Sequence, residues 1–203
     1  TFINQDGQKT ISSFNFQEYE KLDFLKYEGP TDPTITGSFG NILTYKNLKL
    51  NVFVTYSFGN VIRLDPVFSN AYSDLDAMPK EFKNRWMKAG DENVTNIPTI
   101  VSTRMNQQYA YLNMAYNAYN YSDVRIADGG FIRLKEISLS YDLPAKVINF
   151  FRLNKLQLKL QATNLCLLYA DSKLNGQDPE FFRSGGVSTP VPKQFTFTVR
   201  LGL

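Results

Sequence analysis

Strict two-residue alternation of apolar and polar positions is the strongest pattern along the chain, and it marks strands with one apolar and one polar face. From 48 to 58 the even positions read Leu48, Leu50, Val52, Val54, Tyr56 and Phe58 against Lys49, Asn51, Thr55 and Ser57, with Phe53 breaking the phase. From 155 to 163, Leu156, Leu158, Leu160 and Ala162 alternate with Lys155, Gln157, Lys159, Gln161 and Thr163. The sequence closes with Phe195, Phe197, Val199, Leu201 and Leu203 against Thr196, Thr198, Arg200 and Gly202. Residues 34–46 set Ile35, Phe39, Leu43 and Tyr45 on one face, and Tyr45-Lys46-Asn47-Leu48 then predicts a tight hairpin into the next strand. Residues 131–143 are also extended, but Ile132 and Leu134 stand in the opposite phase from Ile137, Leu139 and Tyr141. A bulge near Lys135 and Glu136 reconciles the two halves.

Helical signal is slight. The stretch from Pro79 to Lys88 predicts a short helix with proline in its first turn, closed by Ala89-Gly90, and Pro144 to Leu153 allows one or two turns. The tyrosine-rich segment 105–122 fits neither period. Connections come in two sorts: short ones near 47 and 144–153, and long polar ones at 64–104 and 170–192, well beyond the usual loop of about 4 to 6 residues. Outer-membrane β-barrels have short turns at one rim and long loops at the other, with apolar residues toward lipid and polar residues toward the lumen. A soluble β-sandwich shares the alternation but pairs two sheets over a common core, with moderate loops. Alternation by itself leaves both open, and the loop asymmetry favours the barrel.

Composition narrows the chemistry. The 203 residues are 43% hydrophobic, 14% aromatic and 20% charged, the profile of a folded, aromatic-rich chain. With no histidine and one cysteine, Cys166, the chain has no His/Cys zinc set, no Ser-His-Asp or Cys-His nucleophile pair and no internal disulfide. No catalytic residues, metal or cofactor are therefore expected. Asp74, Asp76, Asp91 and Glu92 lack the spacing of a calcium loop, and Asp178-Pro179-Glu180 reads as turn geometry. The net charge of +3 comes from 22 basic and 19 acidic residues scattered along the chain, so no nucleic-acid partner is expected. No apolar run approaches the roughly 20 residues of a membrane-spanning helix, and Thr1 to Asp6 carry no signal-peptide pattern. Cys166, between Leu165 and Leu167, reads as a buried or lipid-facing small hydrophobe.

Several segments resemble, in order, the C-terminal part of SusC/RagA-type TonB-dependent outer-membrane transporters. Ser122 to Pro144 reads SDVRIADGGFIRLKEISLSYDLP, similar to that family's basic residue, Asp-Gly, Phe/Leu-Arg-Leu-Lys and Ser-Leu-x-Tyr-x-Leu-Pro series. Thr31-Asp32-Pro33-Thr34 with Gly37, Phe39 and Tyr45-Lys46-Asn47 resembles its Asp-Pro segment and hairpin, and Tyr56 to Asn60 its next strand end. Arg85-Trp86 with Asn96-Ile97-Pro98 resembles its long loop. Thr163-Asn164-Leu165, Tyr169, Gly176, Asp178-Pro179-Glu180 and Pro190-Val191-Pro192 complete the order. The weight lies in the series rather than in any one motif.

The resemblance implies an all-β fold: an antiparallel transmembrane β-barrel portion, about five or six strands of a closed barrel of about 22, with long extracellular loops and little helix. Residues 1–30 are then a loop or strand remnant and 31–203 the C-terminal strands and loops. It also implies no enzyme but import of large nutrients, glycans or peptides, across the outer membrane of a Gram-negative bacterium. The implied partners are the rest of the barrel and its plug, TonB acting through that plug, a SusD-type surface lipoprotein and outer-membrane lipid. On this view 203 is the length of a piece beginning mid-protein. Lys155, Gln157, Lys159 and Gln161 are lumen-facing candidates if their leucine neighbours face lipid. Trp86, Tyr109 and Tyr111 are loop aromatics that could stack on sugars. The alternative from a different class is a soluble β-sandwich carbohydrate-binding module.

Overall fold

In a computed structural model of the chain, the described residues are 2–3, 9–10, 25–67, 78–108, 112–150, 153–182 and 190–202. They fall into two compact units: Thr1–Glu28 with Arg63–Ala127, and Gly29–Ile62 with Asp128–Leu203. In chain order the strands are β1 (Phe2–Ile3), β2 (Lys9–Thr10), β3 (Ile35–Tyr45), β4 (Leu48–Phe58), β5 (Val61–Arg63), β6 (Ile126–Asp128), β7 (Phe131–Asp142), β8 (Lys155–Ala170) and β9 (Gln194–Gly202). The helices are α1 (Thr103–Gln108), α2 (Leu112–Tyr121) and α3 (Ala145–Phe150).

The second unit is a five-stranded antiparallel sheet in the order β3-β4-β7-β8-β9. The long alternating segments of the sequence are these strands. The two-residue turn Lys46-Asn47 joins β3 to β4, with Lys46 in the left-handed region at φ 52°. The Asn47 amide donates to the Asp142 carbonyl at 2.8 Å, and Asp142 N–H donates back to the Asn47 carbonyl at 2.9 Å, so the turn is tied to the end of β7. Connections of opposite length leave the sheet at opposite ends. The turn at 46–47 and residues 143–154, which hold α3, lie at one end; residues 59–130 and 171–193 leave from the other. Within the segment 144–153, α3 supplies the helical turns expected there.

The phase change in β7 is a bulge. Glu136 pairs with Phe53 and Leu134 with Val54, which leaves Lys135 without an opposite residue, and the β7–β8 register also skips there. One extra residue re-aims the side chains, so Ile132 and Leu134 rejoin the face of Ile137, Leu139 and Tyr141. Opposite it, β8 takes up its own slack at Asn164, in the left-handed region at φ 54°. Two close approaches shape β3–β4. A Cβ on Gly37 would lie 2.5 Å from the Tyr56 hydroxyl, and one on Gly40 would lie 3.1 Å from the Phe53 ring, so each glycine makes room for an aromatic ring on its partner strand.

In the first unit the expected helix from Pro79 to Lys88 is shorter, a 3-10 turn over Lys80–Asn84 behind Pro79. It stops because Arg85 turns extended and the Trp86 N–H donates to the Ile97 carbonyl at 2.9 Å instead of continuing the helix. The tyrosine-rich segment, periodic in neither sense by sequence, takes in the end of α1 and all of α2. Leu112, Tyr116 and Tyr119 stand at i, i+4 and i+7 on α2, with Tyr116 and Ala118 buried and Asn117 and Tyr121 exposed. Leu64, Val67, Ile97, Ile126 and Ala127 are buried as well, so this unit carries an ordinary apolar core.

Candidate functional site

The sheet of the second unit inverts the usual rule for burial. Across its five strands Leu43, Leu50, Leu139, Leu160 and Phe197 stand in one row, with Tyr45, Leu48, Tyr141, Leu158 and Val199 in the next row toward the short turns. In the first row Leu43, Leu139, Leu160 and Phe197 are 43% to 62% exposed. The opposite face reads Thr44, Lys49, Ser140, Lys159, Thr198 and then Ile42, Asn51, Ser138, Gln161, Thr196. There Ser138 is 4%, Arg133 5% and Gln157 8% exposed. A sheet in water covers its apolar face, because exposing it costs about 25 cal/mol per Å². Here the apolar face is left open, and the buried positions of the sheet lie on the middle strands of the polar face, whose outer positions Ile42, Thr44 and Thr196 are exposed. From Leu48 to Tyr56 the apolar face of β4 runs about 26 Å at 3.3 Å per residue, bounded by tyrosines: Tyr45 and Tyr141 at the short-turn end, Tyr56 and Tyr169 at the other. That span and those borders match the roughly 25 Å apolar band and aromatic girdles of a lipid-facing barrel wall.

The polar face is self-neutralising. The Glu136 carboxylate accepts from the Asn51 amide at 3.3 Å and lies 3.8 Å from Lys159 Nζ. The Asp142 carboxylate accepts from the Gln157 amide at 2.8 Å and lies 3.6 Å from Lys49 Nζ. Each of these two acids is bracketed by one lysine and one amide, so their charges are locally balanced. The Lys49–Asp142 pair, open to solvent, contributes at most about 1 kcal/mol. The four residues singled out on β8 do share this face: Lys155 is exposed opposite Gly202, Gln157 is buried on Asp142, Lys159 is half-buried near Glu136, and Gln161 lies between Ser138 and Thr196. Cys166 pairs with Leu134 on the apolar face and is exposed rather than buried.

Toward the long-loop end the polar face carries a cluster that alternation does not reveal. Arg133 Nη2 donates to both Asp178 oxygens, at 2.6 Å to Oδ2, and lies 3.1 Å from Glu180 Oε2. Arg133 and Asp178 are buried, and the guanidinium lies 5.5 Å from the Phe131 ring on the same face. Asp178 also accepts from the Glu180 N–H at 3.1 Å, which starts a 3-10 turn over Pro179–Phe181. The Asp-Pro-Glu motif does make the turn expected of it and, in addition, supplies the partner of a buried arginine. The signal available in the sequence was the arginine itself, a charge in an otherwise strand-forming Phe131-Ile132-Arg133-Leu134.

The first unit has its own buried arginine. Arg125 grips Glu81 with two bonds, 2.9 and 2.8 Å, donates to the Asp65 carbonyl and stands 5.7 Å from the Tyr119 ring. Burial opposes its charge, but Glu81 more than offsets this and holds the guanidinium above its usual pKa. Burial likewise raises Tyr119, against the pull of Arg125. Trp86 belongs to this unit, not to the sheet, and its indole N–H is taken up by the Lys88 carbonyl. Asp91 and Glu92 are turn caps: Asp91 accepts from the Met87 and Lys88 N–H groups at 3.0 and 3.1 Å, and Glu92 from Gly90 at 2.7 Å. Among the described residues no three metal-ligating side chains cluster. Tyr109, Tyr111, Asp74, Asp76 and Leu203 lie outside the described residues.

Known proteins share both the sequence and the fold. The chain is 27% identical over 179 residues to the TonB-dependent receptor P3 of Formosa agariphila, across 88% of this chain and 15% of that protein. The chain resembles part of a TonB-dependent receptor. Its fold is similar to that in structures of the RagAB peptide importer. In the closed-closed state the TM-score is 0.63 at 22% identity, across 98% of this chain and 20% of the importer chain. In the open-open state it is 0.61 at 21% identity, across 88% and 18%. No protein-family model matches the chain. The chain thus spans less than a quarter of the length of these relatives.

Proposed function

We propose that this chain is the C-terminal portion of an outer-membrane TonB-dependent transporter of SusC/RagA type, its five-stranded sheet a section of the barrel wall and its long connections the extracellular loops. The carrying observation is the inverted sheet: an apolar face five strands wide, left open and bordered by tyrosines, while the buried positions of the sheet, Ser57, Arg133, Ser138 and Gln157, lie on its polar face. Likeness to a TonB-dependent receptor over most of the chain supports the same reading. The transporter imports large polar nutrients, glycans or peptides, past the polar wall of Lys155, Gln157, Lys159 and Gln161, and works with a SusD-type surface lipoprotein and TonB. The hydrogen-bonding, charge-balanced wall supports passage of such cargo without tight capture. A β-sandwich module lacks this support, since its apolar face would be the covered one.

Cysteine labelling in native membranes tests the wall assignment in the full-length transporter with Cys166 replaced by serine. Gln161→Cys should react with a water-soluble maleimide, and Leu160→Cys should not, but should take up a membrane-permeant fluorescent maleimide whose emission is quenched by lipid-borne nitroxide. Equal labelling of both would rule out a lipid-facing sheet.

A further inference from the structure

The barrel reading leaves unexplained why one long connection folds back onto the polar face. Residues 171–182 are tied by hydrogen bonds at several points along their length. Asp171 accepts from the Asp128 N–H at 2.8 Å and the Lys173 N–H at 2.9 Å, which fixes the start. Leu174 is 1% exposed, Asn175 turns the chain in the left-handed region, and the Gln177 N–H donates to the Leu174 carbonyl at 2.9 Å. Asp178 then reaches the buried Arg133 of β7, and Pro179 is buried beside it. Arg133 is opposite Thr55 in the register, so it belongs to the polar face. The segment is therefore held over the face that the barrel reading turns toward the lumen. The Glu180 side chain stays 43% exposed there, although it lies near Arg133.

We propose that residues 171–182 form a fixed constriction on the lumen wall, clamped by Arg133 and Asp178, and that the exposed Glu180 carboxylate gives it its charge. It sets the size and sign of what passes, and so it is a specificity determinant rather than a loop free to sample solvent. Two buried, mutually bonded charges suit this task, because breaking either leaves the other unpaired.

The inference rests on the barrel reading, and the test separates the two. In the full-length transporter, heat-modifiable migration on SDS gels reports the barrel; its absence from the parent protein would sink the earlier reading. With the barrel present, channels opened by urea in planar bilayers are probed with graded polyethylene glycols, alongside hydrogen exchange of 174–181. Arg133→Ala with Asp178→Ala should lose the protection of 174–181, raise the conductance and shift the polymer cut-off upward. The swap Arg133→Asp with Asp178→Arg should recover part of all three. Glu180→Gln, which keeps the buried pair, should shift ion selectivity toward anions at an unchanged cut-off. Retained protection in the double variant, lost protection with an unchanged cut-off, or unchanged selectivity in Glu180→Gln overturns the constriction.

Discussion

At the residue scale, neighbours in sequence are assigned opposite surroundings. Leu160 stands on the exposed apolar face and Gln161 on the polar one. Leu160→Lys is expected to cost about 2–4 kcal/mol, the range for a basic residue at the midplane of a lipid-facing barrel wall, whereas Gln161→Lys should be near neutral. Reversible urea unfolding of the full-length protein in lipid vesicles measures the difference. Gly37→Ala is expected to lose about 1–3 kcal/mol in the same assay, because its Cβ would force the Tyr56 ring to move. In the loop, the Asp91 carboxyl is held below its ordinary 3.8 first by the Met87 N–H and then by the Lys88 N–H. A depressed folded pKa contributes stability that is complete above 3.8 and is lost as the pH falls through the folded value. Hydrogen exchange at 87–94 should therefore be insensitive to pH-induced loosening between about pH 5 and 7 and should show loosening only in stronger acid. Asp91→Asn should remove that acid step.

At the element scale, β7 shows how one residue governs a whole strand. Lys135 lets Ile132 and Leu134 share a face with Ile137, Leu139 and Tyr141. Deleting it should turn one half of β7 inside out, since a one-residue slip moves every side chain to the other face. The expected outcome is loss of the heat-modifiable form of the full-length protein on SDS gels, while deleting Asn93 from the exposed loop leaves that form intact. The bulge was legible because two clean alternating runs met out of phase. Helix α2 was less legible: Asn and Tyr interleave in it and blur the spacing of Leu112, Tyr116 and Tyr119. The clamp was invisible from either side, since Arg133 looks like a strand residue and Asp178 like a turn residue, and they are 45 positions apart.

At the scale of the whole molecule, the sheet ends in β3 on one side and β9 on the other, each with an edge that no described strand pairs. Long open edges and a broad apolar face both favour association. The 203-residue chain expressed alone should therefore pellet from aqueous buffer and need detergent to remain in solution, as measured by sedimentation with and without micelles. A monomer soluble without detergent would count against the lipid-facing assignment. Periodicity and turn residues alone determined the five long strands, though β8 runs on to Ala170 past the alternation read at 155–163, together with their faces, the Lys46-Asn47 turn and the contrast of short and long connections, because each depends on residues close together in the chain. Which face is covered, which arginine meets which carboxylate, and where 171–182 comes to rest were decided by the tertiary structure. The same alternation serves a sheet in water and a sheet in lipid, and long-range pairs form only when strands and loops distant in sequence are brought together.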